Sequence, residues 1–485
     1  MQEWRSKRTI GIAAVALVLV GAALTLTLVP RMKRITLERA VREGAYSVRD
    51  LVLFENPEII DAIARGGSFG GEYSRAIAQD MFARTGPGVD EARAGTKVLE
   101  LAPRTWLIRL PIVNAVLFET DEGLVLVDTG YAPGGPALLE AIRKVSQAPI
   151  HTVIYTHGHV DHAYGTWALL EAGEKPEIVA HAALPARFER YLRLRGSIAR
   201  YMSQPEESLP RTREDLVWPT RTFADRLELE IGGERFVLQH HRGETDDQLY
   251  VWVPGRKALA SADYYQGFLP NAGNGKRVQR DPEPWALALR EMAELGPELL
   301  LPAHGEPIAD AKQIRESLLL HAEALQYIVD RTIEGLNAGL RKDQVWQSIE
   351  LPEHLATHPL LREQYVTAKD ISKMVIHQYT GWWDDVPSHW SPAPLEAQAR
   401  EIVQLARGMK RFVARARAVA DEDLALASHL ADWAFLADPT SPLAQELVID
   451  VYRRRVLDPG TNTQEMLEYV DAMAEARRRQ LGIEE

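Results

Sequence analysis

Residues 155–162 read Tyr-Thr-His-Gly-His-Val-Asp-His, which puts three imidazoles and one carboxylate into the six positions from His157 to His162. Neutral imidazole and carboxylate are the nitrogen and oxygen ligands that zinc accepts. The chain contains no Cys. Thiolate ligands, a Cys nucleophile and a disulfide framework are therefore excluded, and any metal site must be drawn from His, Asp and Glu. In an extended turn, His157 and His159 project one way. Asp161 and His162 are expected on an opening helix, facing a second point. Two metals a few ångströms apart follow from that arrangement, and metal-assisted hydrolysis is the chemistry such pairs perform.

An apolar run, residues 152–155, leads into the cluster and reads as a buried strand. Residues 124–127 form a second such run, ending in Asp128-Thr129-Gly130. Strand texture continues at 105–110, 115–118, 177–180, 235–239, 249–253 and 258–260, with a helix expected at 137–146. Alternation of strands and helices to about His304 predicts a mixed α/β domain. Beyond Pro307 the pattern becomes helical. Ile314, Leu318, Ala322, Leu325, Ile328, Thr332 and Leu336 recur on one helical face, and 424–436 and 443–452 are further helices. A Pro-rich connector at 386–394 divides the helical groups.

The His157–His162 run is similar to the His-x-His-x-Asp-His signature of the metallo-β-lactamase superfamily. A narrower resemblance is to its zinc-dependent alkyl sulfatases, carried by Gly243-Glu244-Thr245-Asp246, Asp263, Leu301-Pro302-Ala303-His304-Gly305, Gly381-Trp382-Trp383-Asp384 and Leu436-Ala437-Asp438-Pro439. The resemblance implies an αββα sandwich over 96–309 and an all-α dimerisation domain over 310–485. It implies two zinc ions per chain: one held by His157, His159 and Glu244, the other by Asp161, His162 and His304, with Asp263 bridging. Asp263 and Asp161 would serve catalysis, and an activated water would attack the ester. The sequence departs from the family in three places. Asp263 stands where the family usually has Glu. The family's sulfate-binding run is replaced by residues 269–277, so Asn271, Lys276 and Arg277 are the expected anion contacts. The chain also stops where family members continue into a lipid-binding domain.

Other residues have competing readings. His240 and His241 would replace Glu244 or simply end a strand. Tyr264 and Tyr265 would reach a leaving group or pack at a strand end. Trp382, Trp383 and Trp390 would line an alkyl channel or, as the first choice, pack in the core, and His181 would support the metal ligands or, as the first choice, serve a structural role.

Residues 9–29 are uncharged and long enough to span a bilayer, with Arg5, Lys7 and Arg8 before and Arg31, Lys33 and Arg34 after. A single-pass anchor with an extracytoplasmic body is expected, a cleaved signal peptide being the rival. Residues 35–95 read as an extension packed on the main domain. The 485 residues, 46% apolar and 26% charged, exclude disordered, collagenous and coiled-coil classes. A net charge of −12 argues against a nucleic-acid binder. The expected activity is hydrolysis of an amphiphilic alkyl sulfate by a homodimer. The alternatives are another ester (lactone, thioester or phosphodiester) on the same metal core, or a non-catalytic membrane-tethered scaffold.

Overall fold

The computed structural model describes residues 95–201, 209–458 and 460–482. The expected anchor at 9–29 and all but the last residue of the expected extension at 35–95 lie outside the described residues. Among those described, no helix is long and apolar enough to cross a membrane.

Strands β1 (Lys97–Ala102), β2 (Thr105–Arg109), β3 (Asn114–Thr120) and β4 (Gly123–Val127) form an antiparallel meander. Helix α1 (Gly135–Val145) crosses to β5 (Ile150–Ile154), which pairs parallel with β4. Helix α2 (Thr166–Glu171) leads to β6 (Glu177–His181), and α3 (Leu184–Arg193) and α4 (Arg195–Tyr201) precede β7 (Arg221–Phe223), completing a seven-stranded sheet in chain order. The second sheet has the order β12-β11-β10-β9-β8, built from β8 (Arg226–Ile231), β9 (Glu234–His240), β10 (Leu249–Val253), β11 (Ala258–Ala262) and β12 (Leu299–Pro302). Its last two strands run parallel, joined through α5 (Pro282–Glu294).

Alternation along each strand divides the side chains between two layers. From β3 and β4, Val116, Phe118, Val125 and Val127 meet Phe236, Leu238, Leu249 and Val251 of the other sheet. Phe118 and Phe236 are packed edge to face at 5.7 Å between ring centroids. The intervening Leu117, Leu124 and Leu126 point outward and pack beneath Leu138 and Ile142 of α1 and Phe188 of α3. On the far side, Tyr250, Trp252 and Leu259 pack on Trp285 and Leu289 of α5 and on Ile314, Leu318 and Leu325. Helix, sheet, sheet and helix therefore stack in four layers, the αββα sandwich that the resemblance implies. Strands β4, β10, β11 and β12 are apolar on both faces because both faces are covered.

From Ala311 onward the secondary structure is helical. Helix α6 (Ala311–Asn337) starts where Asp310 accepts a hydrogen bond from Gln313 N at 2.7 Å. Then come α7 (Lys342–Gln347), α8 (Glu353–Ala356), α9 (Ala368–Thr380), α10 (Leu395–Leu405), α11 (Met409–Ala420), α12 (Leu424–Ala437), α13 (Pro442–Leu457) and α14 (Thr463–Leu481). The last five share a separate core built around Phe412, Val413, Leu447, Val451 and Leu467. The tryptophans correct one expectation. Trp382 and Trp390 are exposed rather than in the core, because among the described residues no element folds over the loop that leaves the end of α9.

Candidate metal centre

The loops that follow β4, β5, β11 and β12 meet at one edge of the sandwich. Backbone bonds fix them: Thr129 N donates to His162 O at 2.6 Å, Leu249 N to Thr156 O at 2.9 Å, and Asn114 N to Ala303 O at 2.7 Å. Gly165 is required where these loops cross, since a Cβ there would sit 2.0 Å from Thr129 O. The chain after β5 stays non-helical through His162, and α2 begins only at Thr166. Asp161 and His162 therefore belong to a turn before the helix, not to its first residues as expected. The turn is held by His162 N donating to His159 O at 3.2 Å.

Two groups of ligand-type atoms result. His157, His159, Glu244 and Asp263 lie within 4.8 Å of one another, and so do Asp161, His162 and His304. Asp263 faces both: its Oδ2 is 3.9 Å from His157 Nε2, and its Oδ1 is 3.5 Å from both His162 Nε2 and His304 Nε2. Asp161 Oδ2 lies 3.5 Å from His162 Nε2 and 3.4 Å from His304 Nε2.

The surroundings orient these rings. His162 Nδ1 donates to Asp128 Oδ2 at 2.8 Å, which turns Nε2 toward the second group. Asp128 sits at φ 61 and also accepts from Thr156 N and Thr156 Oγ1, both at 2.7 Å. His304 Nδ1 donates to Ile112 O at 2.9 Å, again leaving Nε2 for the cluster. Behind the His157–His159 turn, Gly158 N donates to Asp247 Oδ2 at 2.8 Å, and Arg187 pairs with Asp246 and Asp247. Glu244 N donates to Gln248 Oε1 at 2.7 Å.

The electrostatics differ between the groups. Burial holds His157 and His159 well below the usual imidazole range, so they are neutral and able to ligate. Burial acts the same way on His162 and His304, but Asp263 and Asp161 outweigh it; His162 lies well above its ordinary range and His304 is pushed up to about 10. Asp263 is held well below the carboxylate range, because His304 and His162 overcome its burial. Burial pushes Glu244 up to about 8, with the Arg280 guanidinium opposing.

The donor set fits metal ions. His162 Nε2, Glu244 Oε2 and Asp263 Oδ1 are buried without a hydrogen-bond partner. Left so, each would carry a desolvation penalty, yet all three belong to the two groups. His157, His159, Glu244 and Asp263 would hold one ion, and Asp161, His162 and His304 the other.

Of the expected anion contacts, Asn271 Nδ2 donates to Glu244 Oε1 at 3.4 Å. Lys276 Nζ instead pairs with Glu468 on α14. The Arg277 charge is felt at both His159 and Arg280. His240 ends β9 and stacks on His181 at 3.7 Å; neither belongs to a ligand group. Tyr264 and Tyr265 pack at the strand end: Tyr264 donates to His241 O, and Tyr265 lies against His321. Arg280 was not legible in the sequence. It is 1% exposed and ion-paired with Glu244 Oε1. No spacing marks it, but a cation four residues after Lys276 beside an acidic ligand set was the available signal.

Residues 108–304 match the metallo-beta-lactamase superfamily, and residues 341–478 match the alkyl sulfatase dimerisation family. The chain carries a metallo-beta-lactamase domain followed by an alkyl sulfatase dimerisation domain. It is 29% identical over 366 residues to a linear primary-alkylsulfatase of Pseudomonas sp., covering 70% of this chain and 69% of the relative. It is 24% identical over 372 residues to an alkyl/aryl-sulfatase of Saccharomyces cerevisiae, covering 70% of this chain but 58% of that one. Its fold is that of the stereoselective inverting sec-alkylsulfatase Pisa1 from Pseudomonas sp., with a TM-score of 0.69 at 21% identity over 79% of this chain and 66% of that one. The chain thus spans between about half and about two thirds of the length of these curated relatives.

Proposed function

We propose that this chain is a di-zinc hydrolase of alkyl sulfate esters, adding water across the ester to give an alcohol and hydrogen sulfate. The observation that carries the reading is Asp263: it faces two ligand groups at once, at the strand ends of a fold followed by an alkyl sulfatase dimerisation domain. His157, His159 and Glu244 with Asp263 would hold one zinc, and Asp161, His162 and His304 the other. Zinc bound there supplies Lewis-acid activation of the attacking water and of the departing oxygen. Asp128 holds the His162 tautomer, Asp247 and Arg187 hold the His157–His159 turn, and Asp263 and Asp161 would receive the proton of the attacking water. Arg277 supplies positive charge beside His159 for the sulfate head group. The chain acts as a homodimer through its helical region, with residues 9–29 anchoring an extracytoplasmic catalytic body.

A second reading, hydrolysis of a lactone, thioester or phosphodiester, is favoured by one observation. Lys276 is engaged with Glu468 and Asn271 with Glu244, so two of the three expected head-group contacts are turned to other partners. A substrate panel on zinc-loaded protein separates the two. Sulfate release from dodecyl sulfate should exceed turnover of lactone, thioester and phosphodiester. Arg277→Ala should lower kcat/KM for alkyl sulfate by roughly 10–150-fold with zinc content unchanged. Lys276→Ala should have the smaller effect. Turnover of a neutral ester with no release of sulfate would replace the first reading by the second.

A further inference from the structure

The 269–277 loop carries two adjacent cations, and the rest of the chain treats them differently. Asn274 is buried and shapes the turn: Lys276 N donates to Asn274 Oδ1 and Arg277 N to Asn274 O, both at 3.1 Å. The Arg277 charge bears on His159 and Arg280, at the first ligand group. Lys276 Nζ is ion-paired with Glu468 of α14. The Lys276 side chain is 21% exposed, against 54% for Glu468.

The surrounding frame sets that pairing. Gly273 lies against the first turn of α9, and Gln279 Nε2 donates to Met374 O of the same helix at 3.4 Å. Asn462 caps α14 by accepting from Glu465 N at 3.0 Å, and its Nδ2 donates to Asp370 Oδ2 at 3.3 Å. The loop and the start of α14 therefore share one support, and Glu468 stands in the second turn of α14 beside the loop. Its carboxylate cancels one of the two loop charges.

A sulfate ester carries one negative charge, whereas a phosphate monoester of the same tetrahedral shape carries close to two above its second pKa of about 6. Shape cannot separate these head groups, but the charge that faces them can. A positive charge near the pocket gives a dianion twice the energy that it gives a monoanion.

We propose that Glu468 is a specificity-determining residue: by pairing with Lys276 it trims the positive charge of the 269–277 loop, and so shifts the site toward singly charged tetrahedral head groups and away from doubly charged ones. The inference rests on the hydrolase reading and deepens it by naming the head group that the site disfavours.

The test is the binding of octyl sulfonate, a monoanion, and octyl phosphate, a dianion, to full-length zinc-loaded protein. Calorimetry at low salt and about pH 8 gives both dissociation constants, with zinc content measured alongside. Glu468→Gln should tighten sulfonate about 3-fold and phosphate about 10-fold. Lys276→Met, which uncovers the Glu468 charge, should weaken the two probes by similar factors. The double variant Lys276→Met/Glu468→Gln should return both constants to within about 2-fold of wild type. Salt at about 1 M, where the screening length is about 3 Å, should shrink both single-variant shifts. A role confined to holding the loop would instead weaken both probes in both single variants. That result, or an unchanged sulfonate-to-phosphate ratio in Glu468→Gln, overturns the proposal and leaves the sulfatase reading standing. A wild type that shows the predicted shifts but releases no sulfate from dodecyl sulfate overturns the sulfatase reading alone. A wild type that binds neither probe contradicts both.

Discussion

Glu244 pairs with the Arg280 guanidinium and belongs to the first ligand group, where a bound cation would compete for its charge. Arg280 is buried with it, and breaking such a pair from one side costs about 3–5 kcal/mol because the remaining charge is left uncompensated. Arg280→Met should therefore destabilise metal-free protein by up to that amount, the loss growing as pH rises through about 8 where Glu244 ionises, and zinc-loaded protein by clearly less, because a bound zinc would itself neutralise Glu244. Urea unfolding of both forms checks this; equal losses would mean that Glu244 does not face the ion. Asp128→Asn keeps a residue tolerant of φ 61 but weakens the acceptor for His162. It should lower zinc affinity by about 10–100-fold, measured by competition with a chelating dye. The His157–His162 cluster was legible because its residues are neighbours in sequence. Arg280 and Asp247 were not, because their roles depend on which loops the fold brings together.

Among the elements, α6 carries a titratable group away from the metal centre. His321 is fully buried: Nδ1 faces Ser317 O at 2.7 Å, Nε2 faces Phe268 O at 3.0 Å, and His358 lies nearby. Burial is the largest influence and lowers it to about 4, although the two carbonyls pull the other way. At pH 7 the ring is neutral in both folded and unfolded chains. Between an unfolded value near 6.5 and the folded value, the unfolded chain binds a proton that the folded chain does not, so stability falls with acidification. The loss by pH 4 should be roughly 3 kcal/mol from this group. His321→Gln should remove that increment, read as a smaller difference in unfolding free energy between pH 7 and pH 4.5; an unchanged difference contradicts it. The α6 helix itself was legible from its 3.6-residue apolar period. The late start of α2 was not, because the preceding turn is set by bonds to Asp128, Gly130 and their neighbours rather than by local propensity. The exposed tryptophans were misplaced for a related reason: composition says that aromatics are usually buried, but not whether a neighbouring element covers the loop that carries them.

Across the whole molecule, the last helix reaches back to the 269–277 loop and to the residues around the start of α9. Lys276 pairs with Glu468, Thr463 N donates to Gln364 O at 2.9 Å, and Asn462 Nδ2 donates to Asp370 Oδ2 at 3.3 Å. Gly273 makes the close approach possible, since a Cβ there would lie 2.5 Å from the backbone of Asp370 and Ile371. Gly273→Val should loosen the 269–277 loop from α9 and lower activity while leaving zinc content near two per chain; loss of both ions would place the strain at the ligands instead. The order of the two parts could be read from the change of hydrophobic period, whereas the Lys276–Glu468 contact depends on side chains far apart in the sequence. The most direct test of the whole account is metal content by plasma mass spectrometry. Purified zinc-reconstituted protein should hold about two zinc ions per chain, and His159→Ala and His304→Ala should each hold about one. Wild-type protein that retains no metal, or variants that retain as much as the wild type, would contradict it.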